Sequence, residues 1–321
     1  MVDDSVLLVG VVEPEVSVAE SLRAEFQLPV YASVDHLLLS DSAVDAASVA
    51  VPTRHHAAVA SQLLRAGIDV LIEKPIAASL EEADSLIQLA EHHGRILQVG
   101  HLEQFNPAIV AVRPLVQRPL FFEIHRLSVF TPRSLDVDVV LDLMVHDLDL
   151  VLSFTNSPIR ELRAVGLPVL SPKIDIANVR VEFASGCVAN FTASRVSTER
   201  VRKMRFFQPH QYVSIDYARQ DAFCVDVSSR QTAAATKPAP DISEATRFLP
   251  AELHHPTPGF AMRKLNVVPG EPLKLELKAF LHAVRDRSRP QVSGVEGRAA
   301  LAVALDILAA IQSHRQRAGL A

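Results

Sequence analysis

The chain has 321 residues, 49% of them hydrophobic and 21% charged, which is enough for two domains with separate cores. Its net charge of −5 provides no basic field for nucleic acid or an anionic membrane, so any phosphate-binding surface has to be local. The two cysteines, Cys187 and Cys224, have no metal-ligand spacing, and with neither a cationic leader nor a membrane-length apolar run the expected setting is the cytoplasm.

In chain order, SVLLVGVV (5–12) is predicted as a strand and SVAESLRAEFQL (17–28) as a helix. SVAVP (48–52), IDVLIEK (68–74) and RILQVGH (95–101) follow as strands, separated by the helices HHAAVASQLLRAG (55–67) and SLEEADSLIQLAEHHG (79–94). Apolar strands alternating with amphipathic helices indicate a parallel, doubly wound α/β sheet over residues 1–100. Ligands of such sheets bind beyond the carboxyl ends of the strands, which here carry Glu13, Pro52 and Thr53, Glu73-Lys74-Pro75, and Gly100-His101.

Residues 101–321 follow a different pattern. PLFFEIHRLSVF (119–130), ANVRVEFASG (177–186), GCVANFTASRV (186–196), RKMRFFQP (202–209) and YVSIDYARQ (212–220) alternate with period two. They predict a large, mainly antiparallel open sheet, with a hairpin at Ala184-Ser185-Gly186 and the helix VVLDLMVHDLDLVLSF (139–154) laid against it. Residues 231–258 read as a long surface excursion, and two helices, 273–287 and 295–317, close this α+β domain. Ser293 followed by Glu296 is a capping-box pattern for the second of them.

Each candidate site residue has a functional and a plain reading. Glu13, ending a strand, is placed either to accept hydrogen bonds from ribose hydroxyls, which favours NAD over NADP, or to sit solvated before Pro14. Lys74 leaves an apolar strand at the ligand edge, where desolvation tunes it for proton transfer unless it snorkels to solvent. The Lys74-Pro75 bond is a candidate cis peptide. Asp142, His146 and Asp149 share one face of an otherwise apolar helix, so they either face a polar cavity or close a structural network. Arg126, Arg133, Arg195, Lys203 and Arg205 can together hold a diphosphate, or lie exposed on a sheet face. The histidine pairs 55–56, 92–93 and 254–255 are not metal motifs, and no metal is expected.

VAVPTRHHAAVA, LIEKPIA, VGHLEQFNPA and DLMVHDLDL, in that order, resemble the Gfo/Idh/MocA family of oxidoreductases from about residue 8 onward. The resemblance implies a Rossmann-type domain binding NAD, a substrate domain that assembles as a homo-oligomer (dimer or tetramer), and oxidation of a sugar hydroxyl. RLSVF, VLDLMVHDLDL, ASRVS and KMRFFQP are similar to the branch that oxidises C3 of UDP-N-acetylglucosamine on the way to a 3-amino sugar for lipid A-type glycans. Other expectations left open are another sugar or an inositol-like polyol as substrate, or a non-catalytic relative that binds a sugar nucleotide.

By the same resemblance Lys74 holds the reacting hydroxyl and His146 is the general base, with Asp142 beside it. Glu13, Pro52, Thr53, His56, Glu73 and Lys74 belong to the cofactor site. His101, Asn106 and Asp149 face the sugar, and Arg126, Arg133, Lys203 and Arg205 the nucleotide end. The chain departs from the pattern twice. Glu13 already stands in the ribose acid's place, and the sole early glycine is Gly10, so the first strand, the Gly-x-Gly-x-x-Gly loop and the first helix are expected to be missing. A misplaced start, with about twenty-odd further residues, is the expected explanation. Gln104 stands where the family often has arginine.

Overall fold

The computed structural model describes residues 5–131, 137–227, 253–254 and 260–320. The chain divides into two units, Met1–His101 with Leu273–Leu301, and Leu102–Pro272 with Ala302–Ala321.

In the first unit, β1 (Val11–Val12) and β2 (Val30–Tyr31) form a parallel pair, while β3 (Ala46–Val49), β4 (Asp69–Glu73) and β5 (Leu97–Gly100) form a separate parallel sheet in that order. The single doubly wound sheet expected from the pattern is therefore present as two pieces. Among the described residues β1 and β3 each pair on one side only. A strand persists only where a neighbour satisfies its backbone, so just Val11–Val12 of the apolar run 5–12 is extended in a ladder, and Leu7 and Leu8 are exposed.

α1 (Val16–Phe26) buries only Ala19 and leaves Val16, Val18 and Phe26 in solvent. The short α2 (Val34–Leu38) is capped by Ser33, which accepts from His36 N at 3.2 Å. The core of the unit is β4, aliphatic on both faces and buried through Ile72. α3 (His56–Arg65) buries Ala60, Leu63 and Leu64, and α4 (Leu80–His92) buries Ala83, Leu86 and Ala90, at helical spacing. Ser79 caps α4 by accepting from Glu82 N, and the Glu82 carboxylate accepts from Ala78 N at 3.0 Å.

α7 (Pro272–Asp286) and the start of α8 (Gly294–Arg317) join this first unit, although the sequence pattern grouped residues 101–321 together. The reason lies at β5: Val99 N donates to Val292 O, Gln98 bridges Ser293, and Arg287 pairs with Asp69 at the base of β4. Ser293 N donates to Glu296 Oε2 at 2.9 Å, so the predicted capping acid is in place.

The second unit is built on a nine-stranded sheet. Its members are β6 (Phe121–Val129), β7 (Ile159–Leu167), β8 (Ile176–Phe183), β9 (Val188–Ser197), β10 (Val201–Gln208), β11 (Gln211–Asp216), β12 (Asp221–Val227), β13 (Leu253–His254) and β14 (Phe260–Lys264). The order is β13-β14-β12-β11-β10-β6-β9-β8-β7, antiparallel throughout except for β6 against β9. Gly186, at φ +83°, makes the β8–β9 hairpin predicted there. Of the predicted excursion 231–258, only Leu253–His254 lies within the described residues, as a strand. Alternation sends Phe122, Ile124, Met204, Phe206, Val179 and Phe191 to one face, where α6 (Val145–Thr155) and the second half of α8 pack on them.

Asp175 anchors the connection between β7 and β8. It accepts from Val169, Leu170 and Ser171 N at 2.8, 2.6 and 2.8 Å and from Ser171 Oγ at 2.7 Å. Burial works to raise its pKa, but the Ser171 hydroxyl and the three N–H groups outweigh it and hold the carboxyl at about 2. A depressed carboxylate pKa contributes stability above the unfolded value of 3.8 and loses it as pH falls toward 2. Asp175→Asn should therefore cost about 2 kcal/mol in urea unfolding at neutral pH, with the difference from wild type fading below about pH 4. A difference independent of pH would show that the carboxylate charge is not what anchors the loop.

Candidate active site

In the first unit, the strand tips set the chemistry. Lys74-Pro75 is a cis peptide, as the sequence allowed. His56 is buried under that turn, with Nδ1 2.8 Å from Pro75 O and Nε2 2.9 Å from Val51 O. Both ring nitrogens are thus committed to backbone, and His56 ties two strand ends together instead of presenting a nitrogen to a ligand. Pro52 is exposed, and half-buried Thr53 opens a single 3-10 turn that leads into α3.

His101, at the end of β5, is buried. Its imidazole is pushed down to about 3 by burial first and by the Lys74 ammonium second, with Glu73 opposing, so it is neutral in the working pH range. Glu13 accepts from Glu15 N at 2.8 Å through one carboxylate oxygen.

In the second unit, the helix expected over 139–154 begins as a π-helix, Val140–Met144, and continues as α6. Asp142 therefore stands in the wider π turn, and His146 and Asp149 follow on the regular helix. Asp142 is half-buried, whereas His146 and Asp149 are buried on α6. Asp149 accepts from Gln104 Nε2 at 2.5 Å, and Gln104 Oε1 accepts from Arg113. The glutamine that replaces the expected arginine thereby connects Asp149 to a guanidinium one residue removed.

The sequence reading missed Asp147 and Glu103. Arg126 forks onto Asp147 at 2.6 and 2.8 Å and reaches Glu103 at 3.0 Å, over the ring of Tyr217. Burial opposes the Arg126 charge, but Asp147, and after it Glu103, hold its proton more firmly than water would. This corrects the expectation for Arg126: its forked end is spent inside the protein.

Asn106 is corrected likewise. It caps α5 (Pro107–Val112) by accepting from Ala108 N at 3.1 Å, and it donates to Glu103 Oε2 and Tyr217 O. Lys203 and Arg205 alternate with buried Met204, so they lie on the sheet face opposite α6, against Asp216 and Glu123. They do not converge with Arg126 on a diphosphate site, and the plain reading, basic residues on a sheet face, describes them. Arg195 is committed to Asp175 and Val137 O. Arg133 lies outside the described residues.

The basic residue on the α6 side of β10 is Arg202, which is in register with Arg126. Its pKa is lowered by burial and then by the charge of Arg126, and it has no ion-pair partner among the described residues. Strand alternation away from Met204 and Phe206 was the signal that separates Arg202 from Lys203 and Arg205, and residue type alone obscured it.

Parallel strands alternating with helices, with Lys74 and a neutral His101 just beyond the ends of adjacent strands, have the frame of a dinucleotide-binding unit. The comparisons agree. Residues 2–101 match the description "Oxidoreductase family, NAD-binding Rossmann fold", and residues 116–208 match the "GFO/IDH/MocA C-terminal domain". The chain belongs to the Gfo/Idh/MocA family of oxidoreductases.

It is similar to the UDP-N-acetylglucosamine 3-dehydrogenase of Acidithiobacillus ferrooxidans, 35% identical over 97% of this chain and 91% of that protein. A solved structure of that dehydrogenase, GnnA, aligns with TM-score 0.82 and 34% identity over 95% of this chain and 90% of its own. It is also similar to scyllo-inositol 2-dehydrogenase (NAD(+)) of Bacillus subtilis, 24% identical over 59% of this chain and 60% of that protein.

The strand tips fit parts of NAD. Glu13 has one oxygen tied to its own turn and the other without a hydrogen-bond partner among the described residues, which suits a ribose diol. Lys74 follows β4 at the cis turn and neutral His101 follows the adjacent β5, the strand-end positions beyond which such sheets bind ligands. Gly10 is not a phosphate-loop glycine: a Cβ there would lie 2.8 Å from Pro29 O and from the Tyr31 ring, so this glycine is present for packing against β2. No Gly-x-Gly-x-x-Gly turn occurs among the described residues.

Proposed function

We propose that this oxidoreductase oxidises the C3 hydroxyl of UDP-N-acetylglucosamine to the 3-keto sugar, with NAD as hydride acceptor. The observation that carries this reading is the likeness to UDP-N-acetylglucosamine 3-dehydrogenase, which runs along nearly the whole length of both chains. NAD, when bound, takes the hydride from C3 at its nicotinamide C4.

The chain's own residues manage the remaining proton and charge. Lys74 donates a hydrogen bond to the hydroxyl oxygen, and its positive charge stabilises the alkoxide as it develops. His146 takes the proton as general base, and Asp142 positions substrate or imidazole. His101, neutral by burial, sits beside Lys74 without competing for the proton. The balance is alcohol plus NAD⁺ giving ketone, NADH and one proton. At the nucleotide end Arg202 takes the place first given to Arg126, Lys203 and Arg205. Glu13 repels a 2′-phosphate, so NAD should be preferred over NADP by about tenfold or more, or ~1.4 kcal/mol.

The same reading makes the protein cytoplasmic and a supplier of 3-keto sugar for amino-sugar glycans such as lipid A. Among the described residues no helix is long and apolar enough to cross a membrane. We also read it as a homo-oligomer, supported by the face of the nine-stranded sheet that bears Arg205, Phe207 and Tyr212 and has no helix packed on it among the described residues.

The test is NADH formation by the purified chain. UDP-N-acetylglucosamine should be turned over, and free N-acetylglucosamine and inositol should be poor substrates. Turnover of inositol with none of the nucleotide sugar would overturn the substrate assignment and leave the family standing.

A further inference from the structure

One acid in the first unit has no place in this scheme. Glu276 lies on the inner face of α7 with Phe280 and Ala283, at i+4 and i+7, and is 0% exposed. Neither of its carboxyl oxygens has a hydrogen-bond partner among the described residues. Its neighbour Gln98, on β5, is equally buried. Gln98 Nε2 donates to the Glu276 backbone carbonyl at 3.4 Å, and Gln98 Oε1 is also without a donor. A fully buried carboxyl with no donor on either oxygen, beside an amide oxygen that also has none, disfavours the carboxylate and favours the protonated acid.

Gly100 lies two residues beyond Gln98, on the same face of β5. A Cβ on Gly100 would come within 3.1 Å of Glu73 Oε2, so the Glu73 carboxyl rests on that glycine, on the strand face that α7 approaches. Gly100→Ala should displace it. The titratable groups around Glu276 are Glu73 on β4 and, beyond it, Lys74 and His101. Burial first, and the negative charge of Glu73 second, push the Glu276 carboxyl up to about 8.

We propose that Glu276 is a positioning residue for the Glu73–Lys74 strand tip, acting through the proton it carries. As a neutral acid it leaves Glu73 the single negative charge beside Lys74. As an anion it repels Glu73 from its seat over Gly100 and disturbs the cofactor edge. The effect on NADH binding rests on the cofactor edge proposed above; the effect on stability does not.

Folding takes up a proton between the ordinary carboxyl value of 4.5 and about 8, so the contribution of Glu276 to stability is full below 4.5 and falls as pH rises through that window. The experiment compares wild type with Glu276→Gln and, should that variant fold poorly, with Glu276→Met. Thermal unfolding and NADH affinity are measured from about pH 5 to about pH 9. Relative to the variant, wild type should lose thermal stability steadily toward pH 8. Its NADH affinity should drop about tenfold above pH 8 while that of the variant stays level. Parallel pH profiles in wild type and variant, for both stability and NADH binding, would overturn the proposal. Diverging profiles in a chain that turns over no nucleotide sugar would uphold it and count against the substrate reading alone.

Discussion

Lys74→Met should lower kcat by about 10²- to 10⁴-fold while NADH binding and the unfolding midpoint stay close to wild type. The substitution keeps the length and apolar stem of the side chain and removes only the ammonium. Lys74 is half-buried at the end of β4, so no core packing is lost. The missing charge would be felt at His101, whose imidazole Lys74 helps to hold neutral. His146→Asn should produce a loss of similar size. The double variant should be little worse than either single one, because two groups that act on one proton are not additive. A single variant that turns over at near-normal rate would remove that residue from the chemistry.

The second large effect is on stability. Asp147→Asn leaves Arg126 buried at 3% exposure with one of its two carboxylate partners gone. Breaking one member of a buried, forked ion pair costs about 3–5 kcal/mol, because the remaining charge has lost its compensation. Replacing both members with apolar residues, Arg126→Met with Asp147→Leu, should cost less than the single change. Urea unfolding of the two variants checks the order. If the single change is mild and the double change severe, the cluster is held by packing and not by charge.

Much of the first unit was legible because helix and strand periods are strong there. The runs at 68–74, 79–94 and 95–101 correspond to β4, α4 and β5 within a few residues. The break between the β1–β2 pair and the β3–β4–β5 sheet was not legible, because period and apolarity mark a strand without naming the neighbour it pairs with. The second unit was harder to read. Regular helical spacing was assumed across 139–154, but residue types do not reveal the π turn at Val140–Met144 that carries Asp142.

Charge without direction misled as well. Arg126, Lys203 and Arg205 look alike as letters, yet strand alternation puts one in a buried network and two on the opposite face, leaving Arg202 on the helix side. Asn106 looked like a ligand residue because a helix cap and a sugar contact use the same amide. Glu276 sits in an amphipathic run where a glutamate ordinarily faces water. Only the spacing to Phe280 and Ala283 turns it inward.

The most direct measurement of the proposed reaction uses UDP-N-acetylglucosamine carrying deuterium at C3, with NAD⁺. The proposed chemistry predicts that the label appears at the nicotinamide C4 of NADH, that a 3-keto sugar forms in equal amount, and that turnover slows on deuteration when hydride transfer is rate-limiting. Label retained in the sugar while NADH forms, or lost to solvent, would contradict it.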